Sequence, residues 1–102
     1  MRRSCFVLLC FAALIFRAKA ESGIASYYSY GNRDHPGELT CAHRTRPFGS
    51  LVKVTYGDRS ITCRIADRGP FIRGRTIDLS VSAARALGMI RAGVVRVSLD
   101  QP

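Results

Sequence analysis

The chain contains no tryptophan, so any aromatic surface it offers must come from its four tyrosines and five phenylalanines. Its one long apolar run, Cys5 to Phe16, falls short of the ~20 residues that cross a bilayer as a helix. Arg2 and Arg3 precede that run and Ala18-Lys19-Ala20 follows it, the layout of a signal peptide cut after Ala20. An uncleaved N-terminal anchor is the alternative, and lipid attachment at Cys10 is disfavoured because no small residue stands just ahead of it. Repeats, low-complexity segments and internal linkers are all missing, so residues 21–102 read as one small domain. Paired metal-ligand spacing is also missing, since Cys41, His43, Cys63 and His35 are scattered, and neither a metal site nor a cofactor is expected. Acidic residues are few, seven against sixteen basic ones. Without the signal segment, twelve basic residues remain, eleven of them arginine, and the net charge is +5. Such a surface suits anionic polymers of a cell envelope, and export argues against nucleic acid.

What is present is mostly β-pattern. Gly23 to Tyr30, rich in tyrosine, predicts a first strand. Gly31 to Gly37 is polar and turn-rich, and Leu39 to His43 is a short apolar stretch without a clear assignment. Leu51–Tyr56 and Ser60–Ile65 alternate around Gly57-Asp58-Arg59, which predicts a hairpin with Val52, Val54, Tyr56, Ile61, Cys63 and Ile65 facing the core. Thr76 to Leu79 is a short strand, Ser80 or Ser82 can cap a helix that Gly88 stops, and Val94 to Leu99 is a last strand. About six strands and one short helix imply a mainly β fold, a small closed or nearly closed barrel. Cys41 and Cys63 form an even pair in an exported chain, so a disulfide is expected, with two buried thiols as the alternative.

The chemistry centres on Cys63 to Phe71, where Asp67 ends an apolar strand beside Arg68 and a Gly69-Pro70 turn. A strand end holds a side chain still while a turn exposes it, as acid–base work on a bound substrate requires. A second carboxylate, Asp78, lies between Ile77 and Leu79 and is read as support, paired with Arg68 or Arg75. The plainer reading of Asp67 is that it accepts backbone amides of the turn.

The blocks Gly23–Tyr28, Leu39–Gly49, Ala66–Phe71, Gly74–Ser80 and Ala83–Met89 together resemble the rare lipoprotein A family, in order and over nearly all of residues 23–99. The resemblance implies a six-stranded double-psi β-barrel with one short helix. It also implies an exported, monomeric protein of the periplasm or cell envelope that acts on peptidoglycan, with cell-division or envelope proteins as partners. Active members are endolytic lytic transglycosylases, which cleave between N-acetylmuramic acid and N-acetylglucosamine, leave 1,6-anhydro ends, and prefer strands without stem peptides. The family's catalytic aspartate maps onto Asp67. Its glutamate, from a Gly-Glu pair upstream, maps onto Glu38, although here Gly37-Glu38 abuts Leu39-Thr40 directly. Ala66 stands where the family usually has asparagine.

A transglycosylase needs only one carboxyl group to protonate the leaving oxygen, since the substrate's own hydroxyl is the nucleophile. Tyr28, His43, Arg68 and Phe71 are the candidate substrate contacts, and Tyr27 and Tyr30 share the tyrosine-rich strand. Two rivals stand beside the enzyme: a non-catalytic glycan-binding barrel, and a secreted structural module whose carboxylates only make turns and ion pairs.

Overall fold

The hairpin predicted around Gly57 frames the molecule. In the computed structural model, which describes residues 20–28 and 38–102, β3 (Leu51–Tyr56) and β4 (Arg59–Asp67) pair antiparallel from Leu51↔Arg64 to Tyr56↔Arg59. Gly57 turns the chain at a φ of 63°, in the left-handed region that glycine adopts freely. Val52, Val54, Cys63 and Ile65 are fully buried while Leu51, Lys53 and Thr62 between them are exposed. One face of the hairpin is therefore core and the other is wet.

The sheet grows from both edges of this hairpin until it meets itself. β6 (Val95–Asp100) adds antiparallel to β3, and β1 (Glu21–Tyr27) adds antiparallel to β6. On the other side, β2 (Thr40–His43) runs parallel to β4 and antiparallel to β5 (Ile77–Leu79). A parallel pairing of β5 with β1 closes the ring in the order β1-β5-β2-β4-β3-β6. This mainly β, six-stranded barrel with one short helix is the double-psi architecture that the resemblance implies.

Inside the ring, Ala25, Cys41, Val54, Ile65, Ile77, Leu79 and Leu99 form the centre of one apolar cluster. Cys41 and Cys63 are bonded within it, their Cα atoms 5.9 Å apart, so the expected disulfide is present. The helix, α1 (Val81–Leu87), packs Ala83, Ala84 and Leu87 against the barrel. Ser80 is its cap: the Ser80 Oγ accepts the Ala83 N–H at 3.1 Å. Gly88 ends it at a φ of 80°, its N–H directed to the carbonyls of Ala84 and Arg85.

Strand ends differ from the sequence reading at β1, β4, β5 and β6: β4 is Arg59–Asp67 rather than Ser60–Ile65, and β5 starts at Ile77 rather than Thr76. The first strand is Glu21–Tyr27, not Gly23 to Tyr30, and the last is Val95–Asp100, not Val94 to Leu99, its pairing with β1 ending at Ala25↔Val95. The unassigned stretch is β2, buried at all four positions. The signal segment up to Lys19, with Cys5 and Cys10, and Tyr30, His35 and Gly37 lie outside the described residues.

Gly23 sits where β1 passes over Thr76. A Cβ there would lie 2.6 Å from the Thr76 Oγ1 and 2.7 Å from its Cβ, closer than packed atoms tolerate. Gly23→Ala should therefore lower unfolding stability by about 1–3 kcal/mol in a denaturant titration. Replacing Cys41 and Cys63 together by alanine should cost ~3 kcal/mol by the same measurement.

Candidate active site

One row of residues crosses four strands of the barrel. Ser26 on β1 is in register with Asp78 on β5, Asp78 with Ala42 on β2, and Ala42 with Asp67 on β4. Adjacent strands lie ~4.8 Å apart, so the backbones of the two aspartates are ~10 Å apart across the small Ala42. The row depends on an irregularity. Cys41 pairs with Ile65 and Ala42 with Asp67, so Ala66 is an extra residue on β4. Strict alternation would place Asp67 on the face of Cys63 and Ile65, toward the core. The bulge at Ala66 re-aims it to the face that Ala42 and Asp78 share.

Asp78 lies in a cleft of about 310 Å³ lined by Ser26, Tyr27, Tyr28, Pro70, Phe71, Ile72, Arg75 and Asp78 itself. Ile77 and Leu79, its neighbours on β5, point inward, so Asp78 points out between strands. The Ser26 hydroxyl donates to its Oδ1 at 2.9 Å. Burial raises the Asp78 pKa above the ordinary carboxylate value, and the Ser26 hydrogen bond and the charge of Arg75 oppose that rise in part. The cleft has an aromatic rim. Phe71 is 79% exposed and Ile72 59%, while the Tyr28 hydroxyl lies 3.3 Å from the Thr40 Oγ1. Tyr27 belongs partly to the core, and its hydroxyl donates to the Ile90 carbonyl at 3.0 Å.

The flanking loops are held by arginines bonded to carbonyl oxygens. Arg44 Nη1 donates to the carbonyls of Pro70 (3.0 Å) and Arg75 (2.8 Å), fixing both ends of the loop that forms one cleft wall. Arg68 Nη1 donates to the carbonyls of His43 (3.1 Å) and Arg46 (2.6 Å), and its guanidinium stacks 3.9 Å from the Phe48 ring centre. His43 Nδ1 accepts the backbone N–H groups of Thr45 and Arg46, each at 3.2 Å. Those two bonds assign the imidazole proton to Nε2. Burial, and then the charge of Arg46, lowers the His43 pKa from its ordinary value.

Among the residues singled out from sequence, Tyr28, Phe71, Arg75 and Asp78 meet in this cleft. Asp67 lies in the same row two strands away, and its Oδ1 accepts the Arg68 backbone N–H at 2.9 Å. His43 and Arg68 brace the β2–β3 loop through hydrogen bonds to its backbone. Glu38 forms a 2.7 Å ion pair with Arg64. The Arg64 N–H also donates to the carbonyl of the neighbouring Leu39 at 2.9 Å, so this stretch is anchored beside Arg64 on β4. Asp78 takes its hydrogen bond from Ser26 rather than from Arg68 or Arg75. Ser26, Ala42 and Arg44 escaped the sequence reading. Ser26 and Ala42 matter only through register, and Arg44 only through a contact 26 and 31 residues away in sequence.

A closed six-stranded barrel in this strand order is a double-psi β-barrel, here with a rimmed cleft and two carboxylates in one row. The family described as lytic transglycolase matches residues 20–99, and the chain belongs to it. A Synechocystis protein named "Probable endolytic peptidoglycan transglycosylase RlpA" is 51% identical over 100 residues, covering 87% of this chain and 30% of its own length. A Pasteurella multocida protein named "Endolytic peptidoglycan transglycosylase RlpA" is 45% identical over 95 residues, covering 80% of this chain and 32% of its own. The chain thus spans about a third of the length of these curated relatives. Both matches run over more positions than this chain supplies, so the relatives carry residues inside the matched span that it lacks. Among solved structures, the Clavibacter michiganensis expansin superposes with a TM-score of 0.67 at 22% identity, over 79% of this chain and 49% of the expansin, which establishes likeness of fold.

Two pH effects follow. The neutral His43 ring accepts two amides, so its contribution to stability is complete above pH ~6.5 and is lost as pH falls below that value. Thermal melts from pH 8 to pH 5 should show this loss, and His43→Ala should flatten it. Asp78 has the opposite sign. Its folded pKa is raised, so the ionised form opposes folding at neutral pH and stability is gained as pH falls through that pKa. Asp78→Asn should therefore melt higher than wild type at pH 7, with the gap closing in acid.

Proposed function

We propose that this barrel is the catalytic unit of an exported lytic transglycosylase acting on the glycan strands of peptidoglycan. The observation that carries the reading is the half-buried Asp78, hydrogen-bonded to Ser26 at the base of an aromatic-rimmed cleft, with Asp67 in the same row. A raised pKa keeps a carboxyl group protonated closer to neutral pH, as a general acid requires.

In this mechanism a glycan lies across the strands with a N-acetylmuramic acid over the cleft. Asp78 donates its proton to the oxygen leaving C1, and the N-acetylglucosamine beyond it departs with a new hydroxyl. Positive charge develops at C1 and the ring oxygen, where the negative potential of Asp67 stabilises it. The muramyl 6-hydroxyl attacks C1 and gives its proton to the Asp78 carboxylate, which restores the acid. No water is consumed, and the product ends in a 1,6-anhydro ring. Tyr28 and Phe71 supply stacking surface, while Arg68 and His43 keep the neighbouring loop in place. Glu38, held by Arg64, is assigned to that ion pair, in contrast to the role that the resemblance gives it. The setting is the cell envelope, and stem-free strands are the preferred substrate.

The second reading, a glycan-binding module without catalysis, is favoured by one observation: Ala66 replaces the asparagine that would flank Asp67 in the family.

Incubation with stem-free glycan strands and mass spectrometry of the products tests both. Wild type should release 1,6-anhydro ends. Asp78→Asn should reduce the rate by about 10²–10⁴-fold, as loss of a general acid does. Asp67→Asn should slow it by a smaller factor, and Glu38→Gln should act mainly on stability. Binding without products would leave the module reading, and full activity in Asp78→Asn would remove that residue from the chemistry.

A further inference from the structure

We propose that Arg75 is a specificity residue of the cleft, its guanidinium receiving a carboxylate carried by the sugar bound beside Asp78. The ligand class is a muramyl glycan whose lactyl group is a free acid, and the inference rests on the glycan-cleavage reading above.

The arginines around the site divide by what they hold. Arg44 and Arg68 are bonded to carbonyl oxygens, Arg46 is paired with Glu21 at 3.2 Å, and Arg64 is paired with Glu38. Arg75 differs from these four. It lines the cleft together with Asp78, and its side chain makes no hydrogen bond or ion pair among the described residues. Its backbone is nonetheless fixed: the Arg75 N–H donates to the Ile72 carbonyl at 3.0 Å, and its own carbonyl accepts from Arg44 at 2.8 Å. The rest of this wall is Pro70, Phe71 and Ile72, which offer the guanidinium no acceptor side chain. Asp78 is near enough for its pKa to feel the charge of Arg75, yet its hydrogen bond is made to Ser26.

A tethered guanidinium with no hydrogen-bond acceptor among the described residues, in a partly apolar wall, favours a planar anion that accepts two parallel N–H bonds. N-acetylmuramic acid differs from N-acetylglucosamine in having a lactyl ether on O3. Without a stem peptide that group ends in a carboxylate; with one, it ends in a neutral amide. Arg75 therefore reads two differences at once, muramyl against glucosaminyl and bare against peptide-bearing.

The test separates binding from cleavage. Asp78→Asn, alone and combined with Arg75→Gln or Arg75→Lys, is titrated by calorimetry with three probes of equal length. These are a peptide-free muramyl oligosaccharide, its peptide-bearing counterpart, and an oligomer of N-acetylglucosamine alone. With Arg75 intact, the peptide-free muramyl probe should bind about tenfold or more tightly than the other two. The advantage should shrink with added salt. Arg75→Gln should bring the three affinities together, and Arg75→Lys should restore part of the difference. Equal affinities with Arg75 present, or a preference that survives Arg75→Gln, would overturn the inference. Anhydro products from wild type without an Arg75-dependent preference would leave the cleavage reading standing alone. An Arg75-dependent preference without products would leave the recognition standing and remove the cleavage.

Discussion

The structure depends on how four residues are gripped. β2 is only Thr40–His43, yet it is hydrogen-bonded to β4 on one side and β5 on the other. The Cys41–Cys63 bond ties it to β4 a second time. Because β2 is the shared neighbour, its register on each side decides where Asp67 and Asp78 stand relative to each other. A slip of one residue on either side would turn a carboxylate from the groove toward the apolar interior, where burying its charge is costly. The apolar cluster, the disulfide and the chemistry therefore constrain the same short strand.

Much of the fold was legible because local rules and the final packing agree. The hairpin around Gly57 shows clean alternation, and Ser80 and Gly88 bracket the helix with the groups its ends need. β2 was not legible, because a strand covered on both faces shows no alternation, and four residues are too few for any periodicity. The bulge at Ala66 was not legible either. An extra residue on one strand is defined only by its partner, and nothing local in Ile65-Ala66-Asp67 announces it.

The site shows the same division. Asp67 and Asp78 stand out from sequence as carboxylates inside apolar runs, read there as acid and support respectively, and the hydroxyl beside Asp78 becomes visible only in the fold. Ser26 lies 52 residues from Asp78 in sequence and reaches it only because β1 and β5 run parallel. The arginines were legible as a count but not as a division of labour. Arg44 and Arg68 act as long hydrogen-bonding props for loop carbonyls, a task that uses their planar donors and would not suit lysine. The excess of arginine over lysine in this chain is in part a requirement of loop architecture rather than of charge.

Closure of the ring has a further consequence. Every strand has a neighbour on each side, so the sheet exposes no row of unpaired backbone groups on which another chain could extend it. Many copies can then crowd together without seeding strand-to-strand aggregation.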